Sequence, residues 1–217
     1  MVIENVEKLF QSYLEKSNNE WDFGNSILYR MCEDNPLHND KHVVVGKLWL
    51  IGRSYAAAIE RRKEVKTSND NFYYNEVQEK MLSIGMELDK RISCVHENIE
   101  TIAGGVKDIL NTHKFLMDAF EEITGMKKRS LASKYLHFHC PDKFFIYDSR
   151  ANQAINKLVK QNKAIENKCE EYDNEYRVFV CKMIELQDCL QSKLNIPVTP
   201  RLLDSFLLSE EIQCMRS

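Results

Sequence analysis

The scarcity of glycine and proline most constrains what this chain can fold into. Only seven of its 217 residues are glycine and four are proline. Tight turns draw heavily on these two residue types, so turns should be scarce and helices should dominate. The length suffices for one large domain or two small, intimately packed ones. The sequence predicts an all-α protein in which residues 1–217 form a single compact multi-helix domain.

Apolar residues recur at helical spacing along most of the chain. We find no internal repeat, heptad array or low-complexity segment. The "AGG" segment, Ala103 to Gly105, should interrupt the helical pattern between 72 and 110, with a second break near Ser93. Gly125 is well placed to end the helix before it. The predicted helices cover 3–16, a short stretch around 27–31, 42–66, 72–110 with its breaks, 112–123, 131–139, 148–158 and 172–194, and a closing helix carries Leu202, Leu203, Phe206 and Leu207.

Composition and charge exclude several classes of protein. Hydrophobic residues make up 43% and charged residues 29%, as in ordinary soluble globular proteins. The N-terminus lacks the apolar core of a signal peptide, and no apolar run approaches the roughly 20 residues of a membrane span. Seven cysteines without a pairing pattern indicate reduced thiols, so we expect a cytoplasmic protein that does not bind membranes. With a net charge of −3, contact with nucleic acid would need a local basic patch.

The stretch "SLASKYLHFHCPDKFFIYDSRANQAI", residues 130–155, is the most informative. Its first helix should carry an apolar arc that includes His139, with Ser133, Lys134 and His137 on the opposite, polar side. Pro141 should end that helix. Asp148 begins the next one, where its carboxylate can cap the backbone amides or, from the same position, orient a water or stabilise a developing cation.

A basic cluster precedes this helix. "MKKRSLASK" supplies Lys127, Lys128, Arg129 and Lys134 directly after Gly125. Cations at a helix N-terminus oppose the helix dipole, so the cluster favours an anionic partner such as phosphate. A solvated run of charges is the simpler alternative. On the polar side of the helix, His137 is the better candidate of the two histidines for contacting a ligand.

Other motifs carry less chemistry. The two histidines of "HFH" point about 200° apart on a helix, and no CxxC, HxxxH or HExxH occurs, so no metal is expected. Nothing fixes a base beside Cys140, which argues against a cysteine nucleophile. Trp49 should lie in the core rather than form a base-stacking platform. Arg53, inside an apolar run, needs either an acidic partner such as Asp148 or a bound anion.

The stretch "GMKKRSLASKYLHFHCPDKFFIYDSRANQAI" resembles the helix-hairpin-helix DNA glycosylase superfamily, particularly its 8-oxoguanine-glycosylase-like branches. The resemblance covers about thirty residues. It implies a DNA-binding hairpin across 122–130 with Gly125 at its turn, and it places Asp148 on the catalytic aspartate. Arg129 falls where bifunctional members have their Schiff-base lysine. The chain departs from the family in having one hairpin glycine instead of two and no iron–sulfur cysteine set.

The resemblance therefore implies a DNA-repair hydrolase without a cofactor. Because arginine cannot form a Schiff base, lyase activity would need Lys128 or Lys134, and a monofunctional mechanism fits better. Asp148 would stabilise an oxocarbenium-like sugar and orient water while the base is flipped into a pocket. The expected DNA contacts are Gly125, Lys127, Lys128, Arg129, Ser130, His137 and Arg150, with support from Trp49, Arg53 and Tyr147. The alternatives are a non-catalytic nucleic-acid-binding module, and a protein-interaction module in which Asp148 only caps a helix. No oligomeric state is predicted.

Overall fold

The computed structural model describes residues 2–16, 22–98, 100–160 and 171–215. Its backbone contacts group the chain into two compact units. One comprises Met1–Glu20 together with Phe145–Ser217, and the other is the continuous segment Trp21–Phe144. We call them the discontinuous unit and the continuous unit. The expectation of a single domain stays a prediction.

The predicted all-α class is confirmed. Among the described residues there is no β-strand, only an isolated bridge between Val2 and Val159. Within the same ranges, every helix falls short of the combination of length and hydropathy that a bilayer span requires.

Helix α7 forms the centre of the continuous unit. It packs against α2, α3 and α6, and every residue from Leu131 to Phe138 is buried. Phe72 and Phe120 join this core with no exposed surface. The helices of this unit are α2 (Asp22–Asp34), α3 (Lys41–Ser54), α4 (Asn69–Phe72), a π-helical turn (Tyr73–Val77), α5 (Gln78–Asn98), α6 (Val106–Thr124) and α7 (Arg129–His139).

Helix α3 ends twelve residues before the predicted end at Lys66, at Ser54. The next residues reverse the chain: Ala56 has φ of 52°, and the Ala57 amide donates to the Gly52 carbonyl at 2.7 Å. A Cβ at Gly52 would lie 3.2 Å from the Ala58 Cα, so this glycine permits the close return. The charged run "ERRKEVK" therefore lies in irregular structure, although its composition favours a helix.

Helices α5 and α6 also differ from the helices predicted from the sequence. Helix α5 continues through Ser93, where a break was predicted, and α6 begins at Val106 instead of Thr112. The predicted interruption at 103–105 is present. Gly125 ends α6 in the left-handed conformation, with φ of 68°, as predicted.

The discontinuous unit is built from helices at both ends of the chain. Phe10 and Phe206 meet edge to face with 5.0 Å between ring centroids, and Tyr176 and Phe179 are fully buried. Ala151, Ala154, Ile155 and Leu158 form the buried face predicted for α8. The helices are α1 (Val6–Lys16), α8 (Ser149–Leu158), α9 (Asn174–Leu194), α10 (Pro200–Leu208) and α11 (Glu210–Gln213).

Candidate nucleic-acid interface

The turn between α6 and α7 occupies the position predicted for the hairpin. Thr124 stabilises it, since its hydroxyl donates to the Phe120 carbonyl at 2.6 Å and accepts from the Met126 amide at 3.2 Å. Helix α7 begins after Lys128, which makes no side-chain capping bond. The helix–turn–helix geometry is thus present, and its assignment to the helix-hairpin-helix superfamily stays a prediction.

A second basic run, distant in sequence, lies against this turn. The Lys63 amide donates to the Thr124 carbonyl at 2.9 Å, and a Cβ at Gly125 would lie 3.2 Å from the Lys63 Cβ. The Lys128 ammonium also donates to the Arg61 carbonyl. The chain reversal after α3 therefore brings "ERRK", residues 60–63, beside "MKKR", residues 126–129.

Three cations of these runs form what we call the basic surface: Arg61, Lys63 and Lys127. All three side chains are exposed, and none makes an ion pair or side-chain hydrogen bond with any described residue. Arg62 differs, because its guanidinium donates to the Thr67 carbonyl at 2.6 Å and lies over the Phe72 ring. Sequence reasoning had missed Arg61 and Lys63, since it placed them on a solvated helix end.

Lys128 is half-buried, and its side chain mainly links the α6–α7 turn to the segment after α3. Its ammonium donates to the carbonyls of Arg61 and Ala58. Burial lowers its pKa, and the nearby Arg61 charge acts in the same direction. A depressed pKa suits a Schiff-base lysine, but both carbonyls compete for the ammonium.

Lys134 does not lie on a solvated face, contrary to the prediction. It is buried, and its ammonium donates to the Tyr55 carbonyl at 3.1 Å and to the Ser130 hydroxyl at 3.0 Å. Ser130 is thereby held inside the unit, while the Arg129 carbonyl is hydrogen-bonded to His113 Nε2 at 3.2 Å. The polar side of α7 is buried because α2 and α3 cover it.

The prediction that His137 contacts a ligand is wrong for the same reason. The side chain is fully buried, and its Nε2 lies 2.7 Å from the Tyr29 hydroxyl. Its Nδ1 lies 2.8 Å from the Phe144 carbonyl, which can only accept, so Nδ1 is the donor. His137 fixes α7 and the segment after it.

Asp148 caps α8, which is one of the two roles predicted for it. Its carboxylate accepts from the Ala151 amide at 2.8 Å, and the side chain is half-buried. In the same unit, Tyr147 is buried against Phe179, with its hydroxyl bonded to Glu175, and Arg150 is exposed. Tyr147, Asp148 and Arg150 thus belong to the discontinuous unit, whereas the other residues predicted for the glycosylase site belong to the continuous unit.

Arg53 pairs with an acidic side chain, which was one of the two possibilities predicted for it, and the partner is Glu60. The guanidinium lies 2.6 Å from the Glu60 carboxylate and 5.0 Å from the centroid of the Trp49 ring. Glu60 also accepts from the Tyr73 hydroxyl at 2.7 Å. Partial burial acts to raise the pKa of Glu60, but the hydrogen bonds from Tyr73 and Arg53 outweigh it and the pKa is lowered.

Trp49 does not lie in the core, where it was expected. It is 43% exposed and lines a cavity of about 240 Å³ on the continuous unit, together with Tyr74, which is 59% exposed. Lys41, His42, Gly46 and Gln78 contribute to the same lining.

A buried polar cluster, which sequence reasoning also missed, lies elsewhere in this unit. His38 Nδ1 contacts the Asp89 carboxylate at 2.5 Å, and its Nε2 lies 2.7 Å from the Tyr135 hydroxyl. Burial lowers the pKa of His38 to about 4, although Asp89 opposes the shift. Neighbouring Lys47 has no exposed surface and its pKa is lowered to about 8, mainly by burial.

The chemistry of these side chains limits what they can bind. Burial raises the pKa of the Cys140 thiol to about 12, which leaves little thiolate for nucleophilic attack. Among the residues with described positions, no group of three or more His, Cys, Asp or Glu side chains could hold a metal ion.

Comparison with known proteins gives no match: no family model, no curated protein and no solved structure is similar to the chain. Its function is therefore inferred from the chemistry of its own residues.

Proposed function

We propose that the protein is a non-catalytic nucleic-acid-binding module, with DNA as its partner. The observation that carries this proposal is the basic surface, in which two sequence-distant runs adjoin at the α6–α7 turn and Arg61, Lys63 and Lys127 have no acidic partner among the described residues. Exposed cations that their own fold does not neutralise favour a polyanion.

The start of α7 adds to this preference. Lys128 provides no side-chain cap for the first amides of an 11-residue helix. Helix N-termini attract phosphate, because their amides and the helix dipole favour negative charge. A nucleic-acid backbone over the turn would meet these amides together with Lys127.

The groups expected to perform chemistry also have structural roles. Asp148 caps α8, Lys128 binds two carbonyls and Lys134 is buried against Tyr55. This favours binding without catalysis. The glycosylase hypothesis is a second candidate because Asp148 is only half-buried and opens α8, as the resemblance requires. Its product would be an abasic site in DNA.

The proposal is tested with the triple variant Arg61→Gln, Lys63→Gln, Lys127→Gln. We expect weaker binding to a labelled DNA duplex, measured by fluorescence anisotropy over a series of salt concentrations. The slope of log affinity against log salt should fall by about 2 to 3, since each neutralised phosphate contact contributes about 0.9. Lys128 is kept because its bonds to the Arg61 and Ala58 carbonyls stabilise the turn.

The matched control is Lys8→Gln, Lys90→Gln, Lys107→Gln. These lysines are exposed on α1, α5 and α6, and their substitution removes the same charge. Non-specific attraction would weaken equally in both triple variants. Equal affinities and slopes in the two variants would contradict the proposed surface.

A further inference from the structure

The cavity at Trp49 has a size and an aromatic lining that suit one small ring system. It lies between α3 and the π-helical turn with the start of α5. Its volume of about 240 Å³ is below the roughly 300–1,000 Å³ of pockets for drug-sized ligands. A single aromatic ring system is therefore the size of occupant that it favours.

The π-helical turn presents Tyr74 to this cavity. Tyr73 anchors the turn, since its side chain is buried and its hydroxyl donates to Glu60. The next residue, Tyr74, lines the cavity with more than half of its surface exposed. Single π-helical turns inside α-helices recur at functional sites, and here the turn leaves an aromatic ring outside the core.

Gly46 keeps the cavity open. A glycine inside a helix costs about 1 kcal/mol relative to alanine. No packing requirement explains it here, because a Cβ at Gly46 would meet no atom within 4 Å. The space that its missing side chain leaves is the space of the cavity.

Lys41 in the lining favours an occupant that carries negative charge beside its ring. Lys41 and His42 line it, and the Arg53 guanidinium lies over the Trp49 ring. The nearby carboxylate of Asp40 is engaged by the His42 and Val43 amides. Glu60, the partner of Arg53, directly precedes Arg61 of the basic surface in the chain.

We infer that the cavity binds one unstacked base of a single-stranded nucleic acid, whose phosphates lie along the basic surface. The inference rests on the proposed function and adds to it a preference for unpaired strands. Aromatic side chains bind bases of any sequence by stacking on their π-faces, and adjacent cations neutralise the backbone.

The experiment uses the full chain with Trp21→Phe, which leaves Trp49 as the single tryptophan. The probes are an oligo-deoxythymidine and a mixed-sequence duplex of equal length. We expect the single strand to quench Trp49 fluorescence in this parent protein. The additional substitution Gly46→Leu fills the cavity, and it should weaken single-strand binding about tenfold. Duplex affinity, which depends on the basic surface, should stay unchanged by Gly46→Leu.

Gly24→Leu is the matched control, because Gly24 also lies inside a helix, in open space, but does not line the cavity. If the strand binds Gly46→Leu and Gly24→Leu equally without quenching Trp49, the inference is overturned and the proposed function stands. If neither probe binds the parent protein, both fail. Quenching by a peptide with phenylalanine among aspartates, but not by the oligonucleotide, would assign the cavity to a protein and also overturn the inference.

Discussion

At the residue scale, Lys47 shows how much a single buried charge affects this protein. The side chain has no exposed surface, and its ammonium donates a long hydrogen bond to the Leu37 carbonyl at 3.3 Å. Burial lowers its pKa from 10.5 to about 8, while the charges of Cys32 and Asp89 act to raise it. Such a shift corresponds to a cost of about 3 kcal/mol for keeping the lysine charged.

Lys47→Met should stabilise the protein by about 1 to 3 kcal/mol at pH 7, because it removes the buried charge and keeps the volume. In the wild type, Lys47 binds more protons in the unfolded state than in the folded state between pH 8 and 10.5. Stability from this group therefore rises as the pH increases through that window. The variant should lack this rise. Urea unfolding at pH 7 and 9.5 measures both effects.

The control for this prediction is Lys90→Met on the exposed side of α5, which should change the free energy of unfolding little at either pH. A less stable Lys47→Met protein at pH 7 would mean that the bond to the Leu37 carbonyl outweighs the cost of burying the charge.

At the element scale, the start of α8 combines a structural role with the predicted catalytic one. Asp148→Ala removes the bond to the Ala151 amide, so we expect a loss of about 1 kcal/mol in thermal unfolding. Asp148→Asn should retain stability, since asparagine caps equally well. If the protein is a glycosylase, both variants should fail to release bases from DNA, scored as alkali-labile abasic sites.

Asp173→Ala provides the comparison, because Asp173 caps α9 in the same unit through the Tyr176 amide at 2.8 Å. It should lose similar stability without affecting base release. Base release by Asp148→Asn at the wild-type rate would contradict the catalytic assignment, and no release by the wild type would leave Asp148 as a cap alone.

Elements with local determinants could be predicted from sequence, and those with distant determinants could not. Asp148 followed by apolar residues at three- and four-residue spacing predicted α8 and its cap, because capping and helical periodicity act within one turn. The predicted length of α3 was wrong, because the reversal of the chain at Ala56 depends on the close approach of Gly52 and Ala58. Likewise, the burial of Lys134 and His137 follows from neighbours that α7 does not encode.

At the scale of the whole molecule, two compact units carry different parts of the predicted site. The continuous unit holds the basic surface, the cavity and its own core around α7. Despite a net charge of −3 for the chain, three of its exposed cations, Arg61, Lys63 and Lys127, lie on the two runs that adjoin at the α6–α7 turn. Attraction of a polyanion would thus depend on local potential, which salt screens, rather than on net charge.

We expect the segment 21–144 to fold when expressed alone. Its core contains Phe72, Phe120 and Tyr135, each without exposed surface, and His137 keeps its bond to the Phe144 carbonyl within the segment. Far-ultraviolet circular dichroism should show a helical spectrum with a single cooperative thermal transition. A gradual loss of signal without a transition would contradict this.

By itself, the sequence determined the all-α class, most helix positions, the glycine that ends α6 and the aspartate that caps α8. These features depend on propensity, periodicity and hydrogen bonds between near neighbours. Tertiary structure alone decided that Lys134 and His137 are buried, that Trp49 is exposed, and that Arg61 and Lys63 adjoin Lys127. The reason is that burial and charge proximity depend on which distant segments meet; the chain return after α3, for example, brings Lys63 to the α6–α7 turn.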